Sequence, residues 1–418
     1  MDLPGGPQRD ITKIVLPMWG RIASGVVVPF ELVDDDGASV EPVNRFLRDF
    51  TARGNRAGSV RSYAFVLQRW FRFLLVVGVP WDRATSAETR DLVLWFGQTT
   101  KPIAGRRTRS ALIAGTVNPV TRKQHLDNEY APRTIRHNNS VLRAFYQFWI
   151  EEGVGPLVNP VPLARPRGRR ANAHHNPLEP FRAGGRLRYN PTIPKRKPRA
   201  MPDPAWTALF GAMRSDRDRA ILVLAISTGA RASELLRMRA GDVDWGDQLI
   251  RVRRKGTDAE QWLPASPEAF VWLRLYLAAL PPLRPGDALW WTLRRNHGLD
   301  RPHRTELTYD ALRAVLRRAN ETLGSNWTMH DCRHTCALRM VRDQNLSLRD
   351  VQTILGHAHI ATTQIYLEDD DAEVIKRVRQ HHAERQAIAA AHPALPRQPA
   401  AGYDPADMAV LFGTGSVR

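Results

Sequence analysis

Between Asn159 and Pro204 the chain loses every helical rhythm. The stretch is rich in proline and glycine and has no apolar repeat at three or four residues, so it cannot bury a face of its own. A segment of that kind forces the flanks on either side to close separate cores. It is also basic: Arg165, Arg167, Arg169, Arg170, Arg182, Arg186, Arg188, Lys195, Arg196, Lys197 and Arg199 stand against one acid, Glu179, between Ala164 and Ala200. Such a chain lies easily along phosphates, although a nuclear-type targeting run has the same look.

The flank before it reads as helical. Phe46, Leu47 and Phe50 form one stripe, and Val66, Leu67, Trp70, Phe71, Leu74 and Leu75 a second. Leu92, Leu94, Trp95 and Phe96 form a third, and Val141, Leu142, Phe145, Phe148 and Trp149 a fourth. Stripes at the i, i+3, i+4 rhythm joined by short turns predict a helical bundle. Between the third and fourth, Lys101, Arg106, Arg107, Arg109, Arg122 and Lys123 mark either a solvated loop or a loop that faces nucleic acid. Ahead of the bundle, Ile14 to Leu16 and Val26 to Phe30 are short β-like pieces of an appended arm or strand-rich cap.

The second flank opens with Trp206, Leu209, Phe210 and Met213, then Ile221, Leu222, Leu224 and Ala225. After a turn at Gly229, Arg231 begins a new helix, where free backbone N–H groups also favour an anion. Glu234 lies one turn on, placed to orient a neighbouring cation. Leu249 to Arg253 and Gln261 to Pro264 alternate as two strands, with Lys255-Gly256 at the hairpin tip. Alone, Lys255 is an exposed turn lysine. On a short hairpin it can also enter a groove and donate a proton. Helices are expected over Pro267 to Leu280, Tyr309 to Leu323 and Ala372 to Ala390, followed by a loose tail.

Lys plus Arg 61 against Asp plus Glu 42 gives a net charge of +19 over 418 residues. A globular chain this basic usually meets a polyanion. No apolar run is long enough for a membrane span and no signal peptide is visible, so a cytoplasmic, nucleoid-associated location is expected and no membrane partner. The two cysteines, Cys332 and Cys336, fit a reducing compartment.

Both cysteines lie in the densest cluster of chemistry. His330-Asp331-Cys332-Arg333-His334 is followed by a helical run, then Leu355-Gly356-His357 and Thr362-Thr363-Gln364-Ile365-Tyr366. A guanidinium grips a phosphate bidentately. An imidazole exchanges protons near neutral pH, and a phenol attacks covalently when its oxyanion is stabilised. A helix starting near Met329 puts His330 and Arg333 on one face. The alternation of His330, Cys332, His334 and Cys336 converges on a metal only if the segment is a strand. The flanking pattern favours helix, and no metal is expected.

These residues resemble the tyrosine recombinase (phage integrase) family over roughly Ala205 to Tyr366. Thr228-Gly229-Ala230-Arg231-Ala232-Ser233-Glu234-Leu235 is similar to its first box. Lys255 falls at its hairpin lysine, His330 to His334 at its His-x-x-Arg-His box, and Leu355 to Tyr366 at its last box, with nine residues from His357 to Tyr366. Cys332 stands where leucine is usual, and Asp258 and Glu260 where many relatives carry bases.

The resemblance implies a mainly α chain with a small β-hairpin sheet (α+β). The pattern along the chain divides it into an arm at 1–40, a helical bundle at 41–158, a basic linker at 159–203, a catalytic domain at 204–390 and a tail at 391–418; the bundle resembles the family's core-binding domain, whereas the linker and the tail have no counterpart there. The resemblance also implies site-specific recombination through a 3′-phosphotyrosyl intermediate, without metal, ATP or other cofactor. Tyr366 is the implied nucleophile; Arg231 and Arg333 stabilise the phosphoryl oxygens. Lys255 protonates the leaving oxygen, His330 assists proton transfer at Tyr366, and His357 hydrogen-bonds the phosphate. Glu234 supports them. Arg165, Arg167, Arg169, Arg170, Lys195, Arg196, Lys197, Arg106 and Arg107 are the expected contacts to double-stranded DNA. A homo-tetramer on two synapsed sites, with accessory DNA-bending or directionality proteins, is the expected assembly. A type IB-like topoisomerase and a non-cleaving DNA-binding regulator are the alternatives.

Overall fold

The computed structural model describes residues 9–101, 113–164, 186–194, 199–293, 304–367, 371–391 and 404–411. They fall into two compact units, Met1–Arg196 with Gly324–Asn326, and Lys197–Leu323 with Trp327–Arg418.

The first unit is a bundle of α1 (Glu41–Ala52), α2 (Ala57–Val77), α3 (Ser86–Gln98) and α4 (Pro132–Glu151). Local sequence sets the ends. Proline sits in the first turn of α1 and α4, where its missing N–H has no helical partner to lose. Thr85 and Glu88 close a capping box at the start of α3, and Gly78 ends α2 at φ 68°. All four expected stripes contribute to one aromatic core, except that Leu75 and Leu94 are exposed. Phe46 meets Phe145 edge-on at 5.6 Å, and the buried Trp70 Nε1–H donates to Tyr146 Oη at 2.8 Å.

A two-stranded antiparallel sheet, β1 (Arg21–Ala23) and β2 (Glu31–Val33), caps the bundle. The strands differ from the expected β-like pieces. Ile14 and Leu16 pack against the bundle core without pairing as a strand, and the Ile14 carbonyl accepts from Trp95 Nε1 at 3.0 Å. Val26 is fully exposed in the segment between the strands. Pairing is pinned by Asn44, whose side-chain amide bonds both the N–H and the carbonyl of Leu32 at 2.8 Å. Two stretches of the expected linker, around Val161 and around Leu187, also dock here, whereas Met201 near its end belongs to the core of the second unit. Leu163 bridges Leu187, and Asn139 Nδ2 donates to the Tyr189 carbonyl at 3.2 Å. A few widely spaced apolar residues, Val161 and Leu187 among them, suffice for that.

In the second unit, α5 (Asp203–Gly211) precedes α6 (Asp216–Thr228), the helix at its centre. Every residue from Ala220 to Ile226 is buried. A helix apolar all round is packed all round, and α8 (Pro267–Ala278) and α10 (Met329–Arg342) pack against it. Between them come α7 (Ala232–Leu235) and a three-stranded antiparallel sheet. Its strands are β3 (Val243–Asp244), β4 (Leu249–Arg253) and β5 (Glu260–Pro264), with Arg253 opposite Glu260. The expected hairpin is β4–β5; β3 adds an edge. The unit continues through α9 (Tyr309–Leu323), α11 (Leu348–Leu355), α12 (Ile360–Gln364) and α13 (Asp371–Ala391). The expected tail carries a short helix, α14 (Pro405–Leu411). Pro405 opens it and the Asp404 carboxylate accepts from Ala406 N–H at 2.9 Å. Among the described residues no helix is long and apolar enough to cross a membrane.

Candidate active site

The floor of the site is the junction of α6 and α7. Gly229 ends α6 at φ 65°, a left-handed conformation that costs glycine little. The reversal brings Arg231 to the start of α7, and the Glu234 carboxylate turns back onto it. Glu234 Oε2 accepts from Arg231 N–H at 2.9 Å and Oε1 from Arg231 Nη1 at 2.8 Å. With only four residues, α7 has little macrodipole. The attraction for an anion therefore rests on side chains.

The β4–β5 hairpin joins this floor from one side. Lys255 is exposed, and its backbone N–H donates to Glu234 Oε1 at 3.0 Å. Gly256, at φ 112°, lets the tip turn. The two acids beside it are already paired with arginines: Asp258 meets Arg237 at 3.0 Å, and Glu260 meets both Arg251 and Arg253 at 3.2 Å. Their charge is therefore spent on arginines beside the hairpin. Arg254, which the sequence reading passed over, is buried and bonds Glu234 Oε2 at 3.2 Å. Glu234 thus serves two guanidiniums and two backbone N–H groups. Burial alone would lift its carboxyl, but these bonds hold it below the ordinary range.

The opposite wall is α10 with the segment from α11 to Tyr366. Thr328 and Asp331 cap α10, so it begins where the spacing placed it. Arg333 points inward and is 3% exposed. Nη1 donates to the Gly229 carbonyl at 2.6 Å, and Nη2 to the Leu355 carbonyl at 2.7 Å and to His357 Nε2 at 3.0 Å. Burial and the charge of Arg231 bring Arg333 down to about 10, still protonated at neutral pH. His357 follows Gly356, which ends α11 at φ 62°. Its Nδ1 lies 2.9 Å from Thr363 Oγ1. Burial, then Arg333, Arg231 and Arg254, push His357 down to about 4, so the ring is neutral near pH 7.

Tyr366 lies just beyond α12 and is 6% exposed, packed among Ala337, Leu338, Val351 and Leu355. Its ring lies parallel to that of His357 at 6.4 Å. Its hydroxyl is 2.8 Å from His334 Nδ1. His330 is exposed one turn earlier on α10, ring to ring with His334 at 4.2 Å. Burial raises the Tyr366 hydroxyl, and Arg333 and Arg231 pull it back in part. The Tyr366 hydroxyl and the guanidiniums therefore share one pocket within one chain.

Three guanidiniums and one carboxylate leave this pocket positive, suited to a phosphodiester. Among the described residues no group of three or more His, Cys, Asp and Glu is arranged to hold a metal ion. Cys332 and Cys336 face the helix packing instead, and burial raises both thiols to about 12. The structure gathers Arg231, Glu234, Arg333, His357 and Tyr366, and ties the backbone of Lys255 to them. Arg106, Arg107, Arg165, Arg167, Arg169, Arg170, Lys195, Arg196 and Lys197 lie outside the described residues. Arg254 and His334 joined the site unannounced. The signal for His334 was present, since it follows Arg333 directly. For Arg254 only its place before Lys255 hinted at a role.

The sequence profile of the phage integrase family matches residues 206–373. Tyrosine recombinase XerC of Azotobacter vinelandii is 31% identical over 267 residues, 62% of this chain and 77% of that protein. Tyrosine recombinase XerD of Lacticaseibacillus casei is 29% identical over 248 residues, 58% of this chain and 74% of that protein. In fold, the chain is similar to a lambda integrase dimer bound to a COC′ core site, with a TM-score of 0.52 and 15% identity. That match covers 79% of this chain and 77% of the other. The profile spans every polar side chain gathered around Tyr366, and the chain belongs to the phage integrase family of tyrosine recombinases.

Proposed function

We propose that this site-specific recombinase breaks and rejoins double-stranded DNA with Tyr366 as its nucleophile. The carrying observation is the 2.8 Å contact between the Tyr366 hydroxyl and His334 Nδ1, in the pocket that also holds Arg333 and Arg231. The Tyr366 oxygen attacks the scissile phosphorus, and its proton passes to His334. Arg231 and Arg333 donate to the non-bridging oxygens as charge grows on them. The bond to the 5′-oxygen breaks, Lys255 protonates that oxygen, and a 3′-phosphotyrosyl link remains. Religation runs the same steps backward.

His357 changes partner during the cycle. The neutral ring accepts from Arg333 at Nε2 and meets Thr363 at Nδ1. A hydroxyl both donates and accepts, so Thr363 supports either tautomer. When Arg333 turns to phosphate, the ring exchanges tautomer, giving up its Nδ1 proton to water and taking one from water at Nε2, and His357 then donates to the phosphate through Nε2–H while Nδ1 accepts from Thr363. His330, behind His334, supports the proton transfer.

The relatives favour recombination over topoisomerase-like relaxation or binding without cleavage. A homo-tetramer on two synapsed duplexes, aided by accessory DNA-bending proteins, is the assembly this chemistry serves. It works where the genome is, in the cytoplasm. A nicked suicide substrate tests the reading, because loss of the 5′-fragment traps the covalent link. The parent protein accumulates adduct, whereas Tyr366→Phe binds the same DNA and forms none. Adduct from Tyr366→Phe overturns the nucleophile assignment.

A further inference from the structure

Arg254 stands one residue before the exposed Lys255, yet is only 5% exposed. Its three nitrogens point at three different elements. Nε donates to Gln261 Oε1 on β5 at 2.8 Å, Nη1 to Glu234 Oε2 on α7 at 3.2 Å, and Nη2 to the Ile354 carbonyl in the last turn of α11. Gln261 completes the tie, its Nε2–H donating to the Thr353 carbonyl at 3.0 Å. Gly356 leaves room for this: a Cβ there would sit 2.8 Å from Arg254 Nε.

A buried guanidinium is costly unless its donors are met, so this arrangement is rigid where it is satisfied. Beyond Arg254 the tip has weaker anchors. The Arg237–Asp258 pair is exposed, and water screens a pair of that kind so that it holds only weakly. The tip is also held by the Asp258 N–H, which donates to the Arg254 carbonyl at 3.0 Å, and by the Lys255 backbone bond to Glu234, the same carboxylate that Arg254 holds.

We propose that Arg254 is a positioning residue for departure of the 5′-oxygen, fixing the root of the hairpin tip so that the Lys255 ammonium is delivered to that oxygen. The proposal rests on the reading of Lys255 as the acid. Arg254 acts through Lys255, with its own nitrogens engaged on protein acceptors. It ties the acid's hairpin to the end of α11, beside His357.

A leaving group that needs no proton provides the test. Single-turnover cleavage is measured on suicide substrates with either oxygen or sulfur bridging at the 5′ position. The proteins are the parent, Lys255→Ala, Arg254→Met and Gln261→Ala. Arg254→Met is expected to cleave the oxygen substrate about 10–100-fold more slowly, part of what a positioned acid supplies. On the sulfur substrate it should come within about threefold of the parent, because thiolate departs unprotonated. Gln261→Ala, which leaves no carboxylate without its cation, should move the same way by less. Equal loss on both substrates, or no loss on oxygen, overturns the proposal. If sulfur rescues Lys255→Ala but not Arg254→Met, the acid stands and only the role of Arg254 falls. If sulfur fails to rescue Lys255→Ala, the acid assignment falls and takes this proposal with it. Should Arg254→Met not fold, Gln261→Ala decides on the same criterion.

Discussion

A buried phenol whose pKa is raised is a poor nucleophile at neutral pH, so its proton must leave as the oxygen attacks. The group at hydrogen-bond distance is His334, with His330 behind it. His334→Ala should slow adduct formation by about 10²–10⁴, the share of a positioned base. His330→Ala, one ring removed, should cost less. A larger loss from His330→Ala in single-turnover assays would reverse the order. His357 makes a second residue-scale prediction through stability. Its folded pKa, about 4, lies below the ordinary value of 6.5. The neutral ring therefore stabilises the fold fully above pH 6.5, and that contribution is lost as pH falls from 6.5 toward 4. Allowing for solvent screening of a half-buried ring, the loss is roughly 1–2 kcal/mol. His357→Asn has no such titration. The drop in melting temperature between pH 7 and pH 5 should be smaller in the variant than in the parent, and an equal drop would refute the assignment.

At the scale of elements, Gly229 joins fold to site. An added Cβ would lie 2.8 Å from Leu355 Cδ2 and 3.2 Å from Cys336 Sγ, at a φ that side chains rarely adopt. Gly229→Ala should destabilise by about 1–3 kcal/mol. It should also weaken cleavage, because the Gly229 carbonyl holds Arg333. Denaturant unfolding and adduct yield read the two effects, and a variant as stable and active as the parent would contradict the packing. Such features divide by how local their causes are. The start of α10 was legible because Thr328 and Asp331 cap it within one turn. The end of α11 is set just as locally, by Gly356 in the left-handed conformation directly after Leu355. The four stripes of the bundle were legible from their period. Burial of Arg254 was not, because its acceptor at Ile354 comes from a hundred residues away. Which of His330 and His334 meets Tyr366 depends on the rotation of α10 against α6 and α11, and spacing does not report rotation. The arm misled because Ile14, Val26 and Val27 have strand-like side chains, whereas pairing at Leu32 is fixed by the distant Asn44.

For the whole molecule, two compact units share a chain with a large excess of positive charge. The first unit closes one apolar cluster and the second closes two. The chain as a whole carries +19, far more than the pocket around Arg231 and Arg333 accounts for. The surplus is concentrated in sequence around Arg165, Arg167, Arg169 and Arg170, where no acid intervenes. If those arginines neutralise phosphates, each contact releases counterions and adds to the salt dependence of binding. Replacing all four with alanine should weaken affinity for specific and non-specific duplexes alike, because phosphate contacts carry no sequence information. A plot of log affinity against log salt should become shallower by roughly 0.9 for each contact removed. The chemical step, followed on DNA held at saturation, should keep its rate, since Arg231, Arg333 and Tyr366 are untouched. An unchanged slope would make the basic stretch a spacer. A slope that falls on the specific site alone would instead place these arginines at base edges.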